Sequence, residues 1–309
     1  PGAFEGVGKI GLQWLQKVKK ITGLPVMVEV ANSDHVEACL NAGIDILWIG
    51  ARTTVNPFAV QEVADTLKGV DIPVFLKNPV SPDLELWIGG MERLLNAGLQ
   101  KVAAIHRGFY FSGEKVYRNR PQWQIAIDFK TAMPNIPMIS DPSHICGRRD
   151  MLGKIAQQAI DLDFNGLMIE SHIQPDEAWS DAKQQVTPEV YANIIHQLII
   201  RQPEHQVSNE AIEYLERLRK KIDLIDDEII NILTSRMEIV REIGHYKKDN
   251  NIVILQSQRW KEILEKFIKR GHDAQLSEEF ISKIIKSIHD ESIEQQEKIM
   301  SKRQSDQDI

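Results

Sequence analysis

The stretch Val102-Ala103-Ala104-Ile105-His106-Arg107-Gly108 shows the pattern that decides the fold of the first two thirds of the chain. Four apolar residues are followed at once by ionisable residues and a glycine. This predicts a short buried strand with charged groups at its carboxyl end. The same pattern recurs on both sides of the stretch. The predicted strands are residues 26–30, 46–49, 74–76, 102–105, 138–140 and 167–169.

The spacing of the strands and the residues at their ends indicate the architecture. About 20 to 35 residues separate the start of one strand from the start of the next, as in the βα units of a parallel sheet. Polar residues follow every strand, which is typical of the catalytic face of a (β/α)8 TIM barrel; a doubly wound sheet gathers its ligand groups at one switch point instead. A barrel has eight units and the chain shows six, so we expect the first two strands to precede Pro1.

Composition narrows the class of protein. Hydrophobic residues make up 42% and charged residues 26% of the 309 residues, as in ordinary globular proteins. Apolar runs are far shorter than the roughly 20 residues that span a bilayer, so no membrane segment is expected. A net charge of −7 and a pI near 5.8 argue against nucleic-acid binding. Two cysteines, Cys39 and Cys146, are too few for a disulfide framework, so we expect a cytoplasmic protein.

After residue 200 the pattern changes from α/β to all-α. Residues 209–249 contain no proline and carry apolar residues every three or four positions, which predicts one helix capped by Ser208 or Asn209. A helix of about 40 residues is about 60 Å long and needs a partner for its apolar stripe, so we expect an intertwined helical dimer. Two further helices are predicted over residues 256–270 and 277–301, separated by Gly271-His272-Asp273.

This change of pattern sets the predicted domain boundaries. We expect an N-terminally incomplete barrel over residues 1–200, a linker over 201–208 and a three-helix domain over 209–309. The acidic, glutamine- and serine-rich end from Ser301 onward has the composition of a frayed tail.

The strand ends of the barrel supply two kinds of functional group. Arg52, Lys77 and Arg107, with Arg148 or Arg149, place cations around one mouth, and such a cage suits a phosphate and a carboxylate together. Nitrogen and oxygen ligands of the kind that bind Mn²⁺, Fe²⁺ or Zn²⁺ are also present. These candidate ligands are His144, Glu170, His172 and Asp181.

Six motifs in order give this region a family resemblance. They are Gly50-Ala51-Arg52, Leu76-Lys77-Asn78, His106-Arg107-Gly108, Asp141-Pro142-Ser143-His144, Ile169-Glu170-Ser171-His172 and Ser180-Asp181-Ala182-Lys183-Gln184. Together they resemble 3-deoxy-D-arabino-heptulosonate 7-phosphate (DAHP) synthase, in the class shared with the 3-deoxyoctulosonate 8-phosphate synthases. The resemblance covers about residues 1–200.

The resemblance implies a reaction and a set of roles. His144, Glu170 and Asp181 would be three of four ligands to a divalent metal, either Mn or one of Fe, Zn and Co. Phosphoenolpyruvate would be held by Arg52, Lys77 and Arg107, with Lys77 also catalytic, and would condense with erythrose 4-phosphate.

The family's fourth metal ligand does not occur in this chain. It is a cysteine in a Gly-Pro-Cys-Ser strand, followed by a Lys-Pro-Arg-Thr segment, and the family places both before the region that resembles residues 1–6. Cys146 does not match that ligand, and we interpret it as a small loop residue.

The predicted helices carry a second set of candidate site residues. Arg236 and Lys247 are eleven residues apart, which is three turns on one helix face. Arg219 precedes Arg236 by about 25 Å along the axis and is rotated by about 100°. If all three contact one small dianion, Arg219 must come from a partner chain. Ser292 and Gln296 share a face of the last helix.

These residues resemble the all-helical (AroQ-type) chorismate mutase family in order and over about 90 residues. By this resemblance Arg219 of the partner subunit, Arg236 and Arg259 bind the substrate carboxylates, and Ser292 also binds substrate. Lys247 and Gln296 would be catalytic, facing the ether oxygen of chorismate as it rearranges to prephenate without a cofactor. Trp260 follows Arg259 where the family often has a glutamate that meets the substrate hydroxyl.

The leading hypothesis is therefore a bifunctional shikimate-pathway enzyme, a DAHP synthase joined to a chorismate mutase in a homodimer or higher oligomer. An alternative makes the helical domain mainly a dimerising module, or a sensor of chorismate or prephenate that regulates the barrel. A third makes the barrel a 3-deoxyoctulosonate 8-phosphate synthase that uses arabinose 5-phosphate. The fused chorismate mutase argues against this third hypothesis, because a chorismate mutase has no role in the synthesis of 3-deoxyoctulosonate 8-phosphate.

Overall fold

The computed structural model describes residues 6–201 and 208–301. The chain falls into two compact units that divide between residues 203 and 204. Most of the expected linker and the expected tail, residues 202–207 and 302–309, lie outside the described residues. Within the two described ranges, no helix is long and apolar enough to cross a membrane.

The first unit alternates strands with helices. Its strands are β1 (Met27–Val30), β2 (Ile46–Ile49), β3 (Val74–Lys77), β4 (Val102–His106), β5 (Met138–Ser140) and β6 (Gly166–Leu167). Its α-helices are α1 (Lys9–Thr22), α2 (Ser33–Asn41), α3 (Ala51–Thr54), α4 (Pro57–Thr66), α5 (Leu84–Asn96), α6 (Trp123–Ala132), α7 (Pro142–Cys146), α8 (Leu152–Asp161) and α9 (Pro188–Gln197).

The six strands form one parallel sheet in the order β1-β2-β3-β4-β5-β6. Consecutive order without reversal is the order of a barrel wall, so the predicted fold class is confirmed. Strand β6 lies one to two residues earlier than the predicted 167–169. After β6 the Met168 amide still donates to the Ser140 carbonyl at 2.7 Å, and the Glu170 amide donates to Ser143 Oγ at 2.9 Å.

The helices of this unit are positioned by their caps and by the core beneath them. Asn56 accepts from the amide of Phe58 at 3.1 Å, and Pro57 follows it at the first helical position of α4. Trp87 of α5 and Phe129 of α6 are fully buried, with ring centroids 4.3 Å apart. Such packing fixes the helices on the outside of the sheet and holds the strand ends in register.

The second unit consists of three helices in its described part: α10 (Asn209–Asp249), α11 (Ser257–Asp273) and α12 (Glu278–Ser301). Ser208 caps α10, whose bounds are those predicted. The predicted break at residues 271–273 is wrong, because α11 continues through it. Gly271 packs directly against Ile281, and the left-handed turn residue is Gln275 instead.

Candidate active sites

The carboxyl ends of β3 and β5 bring a buried ion pair together. Lys77 ends β3, and its Nζ lies 2.8 Å from Oδ2 of Asp141, which directly follows β5. Lys77 Nζ also lies 4.3 Å from the ring centroid of Trp48. Burial by itself would raise the pKa of Asp141, but Lys77 and His144 outweigh it and hold that pKa well below its usual range. Asp141 is therefore a fixed negative charge beside a buried cation.

A second buried cation follows β4. The Arg107 amide donates to Asn78 Oδ1 at 2.7 Å, and its guanidinium donates to Asn119 Oδ1 at 2.9 Å. Burial, together with the positive charges of Arg118 and Arg52, lowers the pKa of Arg107 to about 10 against the opposing effect of Asp141 and Asp181. Cations crowded at one strand edge favour an anionic ligand between them.

Arg52 lies beside this cluster but is held less tightly. It is exposed in the short helix α3, which starts directly after β2. Thr54 of the same helix donates to the carbonyls of Gly50 and Lys77, at 3.0 and 2.9 Å. The helix is thereby anchored to the end of β3 while the Arg52 side chain faces solvent.

His144, Glu170 and Asp181 converge at the same edge. One ligand atom from each lies within 4.8 Å of the other two. His144 Nδ1 is 3.2 Å from Glu170 Oε1, and His144 Nε2 is 3.8 Å from Asp181 Oδ2. All three side chains are half-buried. The three residues come from α7, from the end of β6 and from the loop before α9, so only the folded chain brings them together.

The geometry of this group suits a divalent cation. His144 Nδ1 is buried and lies 2.9 Å from Asp141 Oδ2, yet it has no partner in hydrogen-bond geometry. Burial raises the pKa of Glu170, against the opposing effect of His144 and a hydrogen bond from Gln184. One imidazole and two carboxylates are ligands that Mn²⁺, Fe²⁺ and Zn²⁺ accept.

Two arginines brace the loop that carries Asp181. Arg118 donates to Asp181 Oδ1 at 2.7 Å and to Gln184 Oε1 at 2.5 Å. Gln184 in turn donates to Glu170 Oε1 at 2.7 Å. Arg149 donates to the carbonyls of Ala182 and Gln185, both at 2.7 Å. These contacts hold Asp181 in a left-handed backbone conformation, with φ of 50°.

Several candidates from the sequence have other environments. Cys146 is not a loop residue, since it ends helix α7; it is buried, and burial raises its pKa to about 12. Arg148 donates two hydrogen bonds to the Asp150 carboxylate, both at 2.6 Å. Arg149 binds carbonyls of the loop that carries Asp181. His172 accepts from the Gln174 amide at 3.0 Å and lies outside the ligand group.

The helical unit brings three of its predicted site residues together, and Lys247 lies further along α10. Arg236 of α10 donates to Ser292 Oγ of α12 at 2.6 Å, and Gln296 Nε2 donates to the Ser292 carbonyl at 3.2 Å. Lys247 donates to the Ile254 carbonyl at 2.6 Å. Burial lowers the pKa of both Arg236 and Lys247. Gln296 Oε1 is buried without a hydrogen-bond partner, as a group reserved for a ligand would be.

A glycine sets the distance between the two helices at this point. A Cβ built on Gly244 would lie 2.9 Å from Ile299 Cδ1 and 3.2 Å from Gln296 Cγ. Helix α10 therefore approaches α12 closely one turn before Lys247. This approach places Gln296 of α12 directly against the backbone of α10.

Arg259 and Arg219 are not part of this cluster within one chain. The Arg259 side chain is 69% exposed and lies 3.7 Å from Glu262. Arg219 is exposed in the first half of α10, about 25 Å along the helix from Arg236. Their predicted contacts to the substrate remain predictions.

Residues 1–203 match the family described as DAHP synthetase I. The chain belongs to this family. Residues 218–297 match the family described as chorismate mutase type II, so a chorismate mutase domain follows the DAHP synthetase I domain. Both family resemblances inferred from the sequence motifs are thereby confirmed.

Known relatives cover the two domains separately. Over 198 residues the chain is 28% identical to phospho-2-dehydro-3-deoxyheptonate aldolase of Thermotoga maritima, covering 64% of this chain and 56% of that protein. A crystal structure of that DAHP synthase superposes with a TM-score of 0.57 at 27% identity, over 64% of this chain and 56% of the other. The bifunctional chorismate mutase/prephenate dehydratase of Buchnera aphidicola is 33% identical over 84 residues, which are 27% of this chain and 22% of that protein.

Relatives named for a different sugar phosphate also match the DAHP synthetase I domain. The 2-dehydro-3-deoxyphosphooctonate aldolase of Geobacter metallireducens is 25% identical over 197 residues, covering 60% of this chain and 68% of that protein.

The residues that hold the candidate ligands in place were not among the site residues predicted from the sequence. Asp141, Asn119, Arg118 and Gln184 lie between the cations and the metal-ligand group. Asp141 and Gln184 fall inside the quoted motifs, so their position next to a ligand was the available signal. Asn119 and Arg118 belong to a loop without a motif, and only the folded chain identifies them.

Proposed function

We propose that this DAHP synthetase I family member catalyses two reactions. The barrel unit condenses phosphoenolpyruvate with erythrose 4-phosphate to give DAHP and phosphate. The helical unit rearranges chorismate to prephenate. The observation that carries the first assignment is the pair of buried cations, Lys77 and Arg107, at the same strand edge as His144, Glu170 and Asp181.

In the barrel the cations bind and orient the substrate. Lys77 and Arg107, with Arg52 at the rim, hold the phosphate and carboxylate of phosphoenolpyruvate so that its enol carbon faces the aldehyde. Asp141 fixes the Lys77 ammonium and His144 from one carboxylate. A new carbon–carbon bond forms to the aldehyde carbon, water adds to the carbon that bears the phosphate, and phosphate leaves.

His144, Glu170 and Asp181 would hold a divalent metal, and Mn²⁺ is our first choice, with Fe²⁺, Zn²⁺ and Co²⁺ as alternatives. When bound, the metal supplies a Lewis acid for the aldehyde oxygen. Equilibrium dialysis with Mn²⁺ tests the site in the absence of substrate. His144→Ala should raise the dissociation constant at least tenfold, whereas the exposed His196→Ala on α9 should leave it unchanged. Equal binding by both variants would contradict the ligand assignment.

The choice of aldose distinguishes the two enzyme classes that match the barrel. The relatives named as 2-dehydro-3-deoxyphosphooctonate aldolases favour arabinose 5-phosphate as a second candidate. We favour erythrose 4-phosphate because a chorismate mutase domain follows in the same chain. Phosphate release measured with each aldose decides between them: a higher kcat/KM with arabinose 5-phosphate would overturn our choice.

In the helical unit the proposed reaction needs a compact pose and donors near one oxygen. Arg236 and Ser292, with Arg259 and Arg219 of the partner subunit, would bind the two carboxylates. Lys247 and Gln296 would donate to the ether oxygen while its bond to the ring breaks. Gln296 would donate through Nε2, which in the free chain reaches the Ser292 carbonyl at 3.2 Å. The reaction requires no acid, base or cofactor.

A homodimer through the helical unit would complete this site. The α10 stripe, by which we mean Leu215, Leu218, Ile222, Ile225 and Ile229, is exposed in the single chain, and Ile222 and Ile225 are each more than half exposed. An apolar stripe of this length supports burial against a second copy of the chain.

The two free, buried cysteines support a reducing, cytoplasmic location.

The first experiment is to mix the full chain with chorismate without added metal and to follow prephenate formation. Turnover that is lost in Arg236→Ala would support the mutase assignment. Saturable binding without turnover would favour the alternative that the helical unit is a sensor, which predicts that prephenate changes the condensation rate.

A further inference from the structure

An aromatic pair joins two helices of the second unit. The rings of Trp260, in α11, and His289, in α12, are stacked with centroids 4.1 Å apart and an interplanar angle of 18°. Both residues are half-buried, so one side of the pair is open to solvent or to a ligand. The mechanism proposed above assigns no role to either ring.

The pair borders the proposed mutase site. His289, Ser292 and Gln296 follow each other at three- and four-residue steps and share one face of α12. Ser292 Oγ is 2.6 Å from the Arg236 guanidinium. Burial lowers the pKa of His289, and the positive charge of Arg236 lowers it as well, against Asp290. The imidazole is therefore close enough to Arg236 to experience its charge.

The chemistry of this border is that of ring faces. A stacked indole and imidazole present polarisable surface on which an unsaturated ring packs, and a ring face accepts only a weak hydrogen bond from a hydroxyl compared with a carboxylate. The polar groups beside this pair, the half-buried Arg236 and the buried Ser292, suit carboxylates.

We infer that Trp260 and His289 form an aromatic wall of the mutase site that determines its specificity. The wall packs against the cyclohexadiene ring of the substrate and does not recognise the ring hydroxyl. This inference rests on the proposed mutase function. The carboxylates still require Arg236, whereas discrimination for the hydroxyl is weak.

Comparing chorismate with its 4-deoxy analogue on the unmodified full-length chain is the central test. A site that hydrogen-bonds a hydroxyl rejects the analogue without it by about 10⁴-fold or more, whereas an apolar wall discriminates by about 100-fold or less. We expect the two kcat/KM values to lie within about tenfold. A ratio of the two kcat/KM values above about 1,000 would contradict the inferred aromatic wall but would leave the proposed mutase function in place. A chain that neither converts nor binds chorismate would overturn the proposed function, and the wall with it.

Variants separate ring packing from the indole N–H group. Trp260→Phe keeps a ring and removes the donor, so KM should stay within about threefold, whereas Trp260→Ala should raise KM about tenfold with little change in kcat, as loss of uniform binding does. Trp14→Phe, a half-exposed tryptophan in the barrel unit, is the matched control. The melting temperature of each variant, recorded by circular dichroism, shows whether the variant is folded. A large loss in Trp260→Phe, or none in a folded Trp260→Ala, would contradict the inference.

Discussion

Nζ of Lys77 lies 2.8 Å from Oδ2 of Asp141, with 3% and 1% of the two side chains exposed. The same carboxylate oxygen lies 2.9 Å from Nδ1 of His144. One buried carboxylate therefore touches both a proposed substrate-binding cation and a proposed metal ligand. The two halves of the barrel site are linked through Asp141, and a change at this residue should affect both.

Asp141→Asn should destabilise the barrel unit. It keeps an oxygen that can cap α7 but leaves Lys77 buried and unpaired, which costs about 3–5 kcal/mol of unfolding free energy. Urea unfolding monitored by circular dichroism measures the loss. Asp71→Asn, which removes the carboxylate of the exposed pair with Lys101, is the control and should leave the midpoint nearly unchanged. Equal midpoints for both variants would contradict a stabilising role for the buried pair.

His106 should make the stability of the barrel unit depend on pH. Burial lowers its pKa from 6.5 to about 4, and Nε2 lies 2.6 Å from the Pro121 carbonyl. Between these two pH values the unfolded chain binds a proton that the folded chain does not. The unfolding free energy should therefore fall by about 3 kcal/mol as pH drops from 7 to 4.

The test compares unfolding curves of the unmodified chain and His106→Phe at pH 7 and at pH 4.5. The phenylalanine suits the surrounding cluster, which includes Trp87, Phe109 and Phe164. The part of the pH slope that belongs to His106 should disappear in the variant and persist in His196→Gln. The same slope in both variants would assign it to other groups.

Lys247→Ala should lower the kcat of the chorismate reaction by about 10²- to 10³-fold, since it removes one donor to the developing charge. Because the side chain reaches the Ile254 carbonyl, the melting temperature has to be recorded for the variant as well. Lys269→Ala removes an exposed lysine of α11 and is the control. A folded Lys247→Ala with normal kcat would remove Lys247 from the mechanism.

Ile225→Glu should separate the subunits. A glutamate in the middle of the α10 stripe places a charge in the proposed interface, so sedimentation velocity should show a shift toward monomer. Chorismate turnover should fall with it, because Arg219 would no longer reach the partner's site. Asp227→Lys changes a charge on the opposite side of α10 and should leave the dimer intact. A dimer that survives Ile225→Glu would place the interface elsewhere.

Local sequence was sufficient for most of the fold. Short apolar runs predicted all six strands of the parallel sheet, because strands of a parallel sheet are nearly continuous in apolar residues. The start of α10 was predictable from Ser208, whose side chain caps it. Gly271 misled the prediction because a glycine can either end a helix or allow a close contact. Gly271 allows a close contact, with Ile281, and helix α11 continues through it.

The candidate site was predictable where it lies at strand ends and unpredictable where it depends on loops. His144 and Glu170 follow strands, and the parallel sheet brings them to one edge. Asn119 and Arg118 lie in a long connection between β4 and α6, and nothing local indicates that they reach His144 and Asp181. Arg259 shows the converse: its motif is intact, yet the single chain leaves it exposed.

Gly244 has a consequence for the energetics of the longest helix. Glycine within a helix costs about 1 kcal/mol relative to alanine, because its backbone loses more freedom on folding. Alanine would thus be the better helix former at this position, yet its Cβ would lie 2.9 Å from Ile299 Cδ1 and 3.2 Å from Gln296 Cγ, so both side chains would have to shift. Helix α10 therefore gives up intrinsic stability one turn before Lys247. The spacing between α10 and α12 at this point is set by the backbone of α10 against the Ile299 and Gln296 side chains of α12.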